Sequence, residues 1–386
     1  MNKMKKGYKK TEIGIIPDDW GVTKLGEVVD FLDGKRKPLK ESDRSKIKGT
    51  IPYYGASGII DYVNDYIFDD DLILLGEDGE NILSRSVKLA FQISGKCWVN
   101  NHAHVLKPKE GFDITYLTEE LESLNYEQYN TGTAQPKLNK KVISEISLAI
   151  PPTKAEQKAI AEVLSDTDNL IQALEKRIAK KRLIKQGAMQ KLLTPKEDWE
   201  VKKLGEIADI KMGQSPSSSN YNNLGIGLPL VQGNADIKNR ETIIRNYTSQ
   251  ITKKCNTGDI IMSVRAPVGE IARAIFKVCI GRGVCAIYYP NNFLYHYLIF
   301  IEPQWAKHST GSTFDSVNSN TIRKLEIPFP SEQEQTHIAT ILSDMGSEIE
   351  ALQKKLAKYK QLKQGLMQNL LTGKIRLSLS KCKCTS

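Results

Sequence analysis

Seven apolar positions late in the chain, Ile338, Leu342, Met345, Ile349, Leu352, Leu356 and Tyr359, are separated alternately by four and three residues. That spacing places them on one stripe of an α-helix and is the seam of a coiled coil. An earlier stripe, Ile160, Leu164, Ile171, Leu174 and Ile178, keeps the same steps, with Thr167 in the one polar place. Both helices are polar elsewhere, so each has to bury its stripe against a partner. Other regions read differently: short apolar runs such as DDLILLG and GDIIMSV, bounded by turn residues, are strand patterns. The chain therefore predicts two long helices alternating with two strand-containing regions.

The two halves are copies of one plan. Residues 156–194 align without a gap on 334–372, with more than half of the positions identical, and KQGAMQKLLT from Lys185 returns as KQGLMQNLLT from Lys363. WGVTKLGEVVDFLDG from Trp20 matches WEVKKLGEIADIKMG from Trp199, and GTAQPKLNKKVISEISLAIP from Gly132 matches GSTFDSVNSNTIRKLEIPFP from Gly311. Between these flanks the copies diverge: GKRKPLKESDRSKIKG after Gly34 has no counterpart in GQSPSSSNYNNLG after Gly213. A repeated frame carrying two different surfaces is the expected organisation. The expected boundaries are a first domain over 1–152, a long helix over 153–194, a second domain over 195–330, a long helix over 331–375 and a tail over 376–386.

Charge suggests how the helices pair. The first carries Glu156, Glu162, Asp166, Asp168 and Glu175 early and only bases after residue 176; the second repeats this, ending in Lys354, Lys355, Lys358, Lys360 and Lys363. Antiparallel pairing sets acidic halves against basic halves, although the helix macrodipole favours the same distribution. Seam contacts are expected at Ile171, Leu174, Ile178, Ile349, Leu352 and Leu356. Gly187 and Gly365, costly inside a helix, are expected to permit close approach of a neighbour; fraying near each C-terminus is the alternative.

Composition narrows the class. With 55 Lys and Arg against 45 Asp and Glu, and a net charge of +10, an acidic polymer is a plausible partner. No apolar run reaches the ~18 residues that span a bilayer, no signal-peptide pattern follows the basic start, and a soluble cytoplasmic protein is expected. The six cysteines are thinly spread, as in a reduced compartment. Cys97, His102 and His104 in CWVNNHAH, and the tail KCKC, carry metal-ligand atoms, but the former reads more simply as one strand, so no metal is expected.

No catalytic signature is present: there is no phosphate-binding G-x-x-x-x-G-K-[ST], no G-x-G-x-x-G after a strand and no G-x-S-x-G. Asp209-Ile-Lys211 and Asp236-Ile-Lys238 resemble the end of a nuclease motif but lack a partner acid. Pro151-Pro152 lacks the flanking residues with which a methyltransferase grips a flipped base. What remains is a binding inventory within the divergent regions. In the first, Lys35, Arg36, Lys37, Lys46 and Lys48 precede Tyr53 and Tyr54, a mixture that suits phosphates and bases. In the second, Gln214, Ser215, Gln232, Asn234, Lys238, Asn239, Arg240, Arg245 and Arg265 supply amides and guanidinium forks that match adenine and guanine edges. An enzyme acting on nucleic acid by itself, and a coiled-coil adaptor that touches no DNA, are the competing readings.

The repeated motifs, W-x-x-x-K-L-G-E, the SVRAPVG strand end, the junctions IPPTKAEQ and IPFPSEQEQ, and the helix ending KQG-x-MQ-x-LLT, resemble the specificity subunit of type I restriction-modification systems across nearly the whole chain. The resemblance implies an α+β fold: two pseudo-symmetric mixed α/β target-recognition domains separated by two long helices that form an antiparallel coiled coil. It implies that each domain reads one half of a bipartite, asymmetric site in double-stranded DNA. The chain itself would catalyse nothing. It would recruit two methyltransferase (M) subunits and motor-nuclease (R) subunits, to which S-adenosylmethionine, ATP and Mg2+ would belong.

Overall fold

A computed structural model describes residues 6–309 and 317–377, with side chains from 306 to 309 left aside. Gly311 and the cysteines of the KCKC tail lie outside the described residues. The chain divides into two compact units, one formed by residues 1–175 with 355–386, the other by residues 176–354. The two long helices, Lys154–Leu193 and Glu332–Leu370, span 40 and 39 residues. Each contributes one part to each unit.

The first unit holds two four-stranded sheets. One runs in the order Gly58–Val63, Lys48–Gly55, Lys96–Val99, Phe68–Asp69, and the other Val29–Phe31, Ala103–Pro108, Leu72–Gly76, Ala90–Ile93. Leu72, Ile73, Leu74 and Leu75 are all fully buried, which explains why LILL runs apolar without alternation. The second unit holds a six-stranded sheet, with Ile260–Ser263 and Val284–Tyr288 among its strands, and a five-stranded sheet. Lys48–Gly55 runs parallel to Lys96–Val99 in the first unit, and in the second Leu228–Val231 runs parallel to Val278–Ile280 and Glu241–Thr242 to Ile271–Arg273; the other pairings among the described strands are antiparallel. CWVNNHAH is not one strand as its alternation suggests. It is split into Lys96–Val99 and Ala103–Pro108 by a turn in which Asn100 Oδ1 accepts the His102 amide at 2.8 Å.

The W-x-x-x-K-L-G-E motif makes the same connections twice. Trp20 and Trp199 are buried, as are Leu25 and Leu204. The amides of Leu25 and Leu204 donate at 2.8 Å to the carbonyls of Ile146 and Leu325. Glu27 and Glu206 cap their own short helices by accepting from the Lys24 and Lys203 amides. A side chain on Gly26 would press on Ser144, and one on Gly205 on Arg323, so this glycine lets two short helices meet. The E-Q pair at each junction is equally specific. Gln157 accepts the Asp113 amide at 2.8 Å, whereas Gln335 accepts from Tyr289 and Asn291 and donates to the Pro330 carbonyl.

Within each unit the helix segments run antiparallel. In the first, Asp168 pairs with Lys363 at 2.7 Å and Glu175 with Lys360 at 2.7 Å, so one helix ascends as the other descends. Ile160 and Leu164 share a core with Leu366, Leu370 and Leu371. In the second, Lys181 pairs with Glu348 at 2.7 Å, while Ala188, Met189 and Leu193 pack with Ile338, Leu342 and Met345. Ile171, Leu174, Ile178 and Ile349 are buried, and Leu352 and Leu356 half-buried. Gly187 and Gly365 do not serve close approach: a Cβ on either would find no atom within 4 Å outside its own helical turn. Both sit on open stretches of helix surface.

Candidate nucleic-acid interface

The basic loop after Gly34 is anchored by its arginines and presents its lysines. Arg36, whose side chain is 13% exposed, donates at 2.6 Å to Glu77 and at 2.7 Å to the Ala103 carbonyl. Glu77 also meets Lys137 at 3.3 Å. Asp33 faces His104 Nδ1 at 2.7 Å and accepts the Val105 amide, and these bonds hold its carboxyl below the ordinary range despite burial. Further along, Arg44 bonds Asp61 at 3.1 Å and the Leu39 carbonyl, and lies over the Tyr53 ring. Tyr53 is buried and its hydroxyl accepts the Leu39 amide.

Arg36 and Tyr53 are thus used inside the fold and offer no free face to a ligand, which corrects their place in the binding inventory. Lys35, Lys37, Lys46 and Lys48 are exposed. Lys46 and Lys48 have only loose partners, Asp43 at 3.5 Å and Asp61 at 4.0 Å. Tyr54 is half-buried beside Phe91. Sequence reasoning passed over the strand Gly58–Val63, whose Ile59, Ile60 and Tyr62 are exposed, and the nearby Tyr66, covered by Lys96 at 4.6 Å. Adjacent isoleucines on a sheet-edge strand were the available signal.

The candidates of the second unit fall into two groups. Ser215, Gln232 and Gln214 lie together: Ser215 Oγ donates to Gln232 at 3.4 Å and accepts the Arg282 amide at 3.0 Å, with exposed Gln214 next in sequence. Arg282, exposed and absent from the sequence inventory, joins this cluster. Lys238 and Asn239 are exposed on the hairpin between Ile237–Lys238 and Glu241–Thr242. Asn239 and Arg240 both adopt positive φ, 53° and 67°, the geometry of a two-residue hairpin turn. Arg240 is held by Glu302 and the Ile271 carbonyl, and Asn234 by Glu270. Arg245 lies 3.8 Å from Asp236, and Arg265 is exposed. Arg240 and Asn234 are thus engaged within the fold, while Gln214, Lys238, Asn239 and Arg265 are exposed.

The metal-like residues are engaged separately. Cys97 is buried, which pushes its thiol up to about 11, while His102 faces Asp78 at 2.9 Å and His104 faces Asp33 and the Leu138 carbonyl. Among the described residues no three His, Cys, Asp or Glu side chains group so as to hold a metal ion. No described helix is long and apolar enough to cross a membrane.

The structure is thus two mixed α/β units on one repeated frame, joined by long helices and differing in their exposed polar loops. The chain belongs to the family of type I restriction modification DNA specificity domains, whose family model matches it twice, over residues 17–182 and 196–361. It is 31% identical to the MjaX type I restriction enzyme specificity subunit of Methanocaldococcus jannaschii, over 96% of this chain and 97% of that protein. It is 27% identical to the specificity subunit S.HindORF215P of Haemophilus influenzae, over 82% and 85% of the two chains. The type I restriction-modification S subunit from M. genitalium shares the fold, with a TM-score of 0.68 at 16% identity over 91% of this chain and 96% of that one. The units are accordingly two target-recognition domains.

Proposed function

We propose that this chain is the DNA-reading, non-catalytic subunit of a type I restriction-modification complex. Each target-recognition domain reads one half of a bipartite site, and the length of the two helices sets the unread spacer between the halves. The observation that supports this reading is the contrast between the W-x-x-x-K-L-G-E segment, which makes the same bonds in both units, and the loops after Gly34 and Gly213, which share neither sequence nor side-chain bonding. Two readers built on one scaffold suit a site whose halves differ. The exposed lysines of the first domain suit phosphates, and Gln214, Gln232, Asn239 and Arg265 suit base edges in the major groove.

Modification and cleavage then belong to partners: two methyltransferase subunits, which dock on the two long helices, and motor-nuclease subunits. S-adenosylmethionine, ATP and Mg2+ are bound by those partners, and the complex acts in the cytoplasm. The test is to express the chain with a cognate methyltransferase subunit and sequence the methylome. A methylated motif of two half-sites separated by unspecified bases is expected only when both chains are present. Methylation by the purified chain alone would overturn the proposal.

A further inference from the structure

The ungapped alignment of the long helices makes Lys185 equivalent to Lys363 and Gly346 equivalent to Asp168. In the first unit Lys363 is 11% exposed in its side chain, with its ammonium 2.7 Å from Asp168 and 3.0 Å from Glu119. Lys88 approaches the other oxygen of Asp168 at 2.7 Å. In the second unit the residue that would carry the carboxylate has no side chain. Lys185 nevertheless reaches the same place, because a Cβ on Gly346 would lie 2.9 Å from its Nζ. Among the described residues Lys185 forms no ion pair or hydrogen bond, and burial draws its ammonium below the usual lysine range despite the charge of Glu350.

A cavity of about 220 Å3 opens where the carboxylate is missing, lined among others by Lys185, Arg273, His296, Ser343, Gly346 and Ser347. The groups facing it are fixed by their own partners. Arg273 lies 4.1 Å above the Tyr295 ring and donates to Asn292 at 2.9 Å and to the Gly258 carbonyl at 2.6 Å. His296 is buried, with Nε2 3.1 Å from Ser343 Oγ. Burial, with Lys185 and Arg273 nearby, pushes its imidazole down to about 3, so it stands neutral and able to donate one hydrogen bond.

We propose that this cavity binds one small oxyanion, of the phosphate or carboxylate kind, in the place that the Asp168 carboxylate fills in the first unit. Lys185 and Arg273 supply the charge, and Ser347, together with one proton of the His296–Ser343 pair, supplies neutral donors. Two carboxylates, Glu241 and Glu350, also line the wall, while Arg240 is committed to Glu302. These acids offset the summed charge of the fixed cations, so the cavity disfavours a polyanion such as a nucleic-acid backbone and any anion is held locally, at Lys185. The half-buried, unpaired ammonium of Lys185 gains most from the ligand.

The experiment uses the full chain without DNA, so it is independent of the DNA-reading proposal. Thermal unfolding and calorimetric titration are followed in inorganic phosphate and in acetate, each against chloride at matched ionic strength. The wild type is expected to be stabilised by at least one of the two anions; phosphate alone would indicate a phosphorylated ligand, and both a ligand with a carboxylate. Gly346→Asp, which supplies an internal carboxylate, should unfold at higher temperature in chloride and lose the anion response. Lys185→Gln should raise the apparent Kd by about tenfold or more, and this variant carries the test should Gly346→Asp fail to fold. No anion-specific stabilisation of the wild type, or a response of full size in Lys185→Gln, would overturn the site.

Discussion

The segment from Trp20 to Glu27 and the segment from Trp199 to Glu206 bury the same indole, cap the same short helix and donate the same backbone bond. The stretches that follow them share none of this: one is a lysine-rich loop pinned by Arg36 and Arg44, the other a polar cluster around Ser215 and Gln232. The duplicated bonds tie a short helix to the segment that leads into the long helix. The divergent bonds hold a loop in shape, which many residue sets achieve. The two classes of position therefore answer differently to substitution.

The largest effect is expected from exchanging the divergent part. Replacing residues 35–131 with those of a relative should change one half of the methylated motif and leave the other intact, as read by methylome sequencing. A change in both halves would mean that the units do not read independently. Next in size, Trp20→Ala and Trp199→Ala should each cost about 3–5 kcal/mol, the usual range for a buried large aromatic. Denaturant unfolding should show losses of similar size, because the two frames are bonded alike; a several-fold difference would break the equivalence.

A smaller effect should separate the helices. Asp168→Asn removes the carboxylate shared by Lys363 and Lys88, leaving Lys363 with Glu119 alone, and a loss of about 2 kcal/mol is expected for this half-buried group. Those lysines outweigh burial and hold the Asp168 carboxyl below its ordinary range. Its stabilisation is therefore complete above the unfolded carboxylate pKa and is lost as pH falls through the lower folded value. The difference between wild type and Asp168→Asn should shrink on acidification, and a difference that grew would contradict the pairing. Smallest of all, Gly187→Ala and Gly365→Ala should each stabilise by about 0.5–1 kcal/mol, because open space surrounds both positions and alanine is the better helix former. Destabilisation by either would restore a packing role.

The helices and frame were legible because their signals are local or repeated. The four-three spacing needs no knowledge of the partner, and the duplication exposes Trp20 and Leu25 as equivalents of Trp199 and Leu204. The loops were legible only in composition. Arg36 reads as a free cation until the fold brings Glu77 and the Ala103 carbonyl to it from distant sequence. Tyr53 reads as a base-stacking ring until Leu39 and Arg44 close over it. CWVNNHAH reads as one strand because its alternation survives a turn that Asn100 creates through a side-chain bond. Gly187 and Gly365 were misread because repetition shows that a residue recurs, not what surrounds it.

The first unit includes residues 355–386, and its core counts Leu370 and Leu371 beside Trp20, Leu25 and Leu164. The second unit is contained entirely within residues 176–354. A ribosome therefore makes every residue of the second unit before it has made the last wall of the first. The domain begun earliest is the one finished last, against the usual order in which N-terminal domains mature first during synthesis. Until residues 355–371 are made, the core around Ile160 and Leu164 lacks Leu366, Leu370 and Leu371, so a chain ending before residue 355 would hold every residue of the second unit and an incomplete first one.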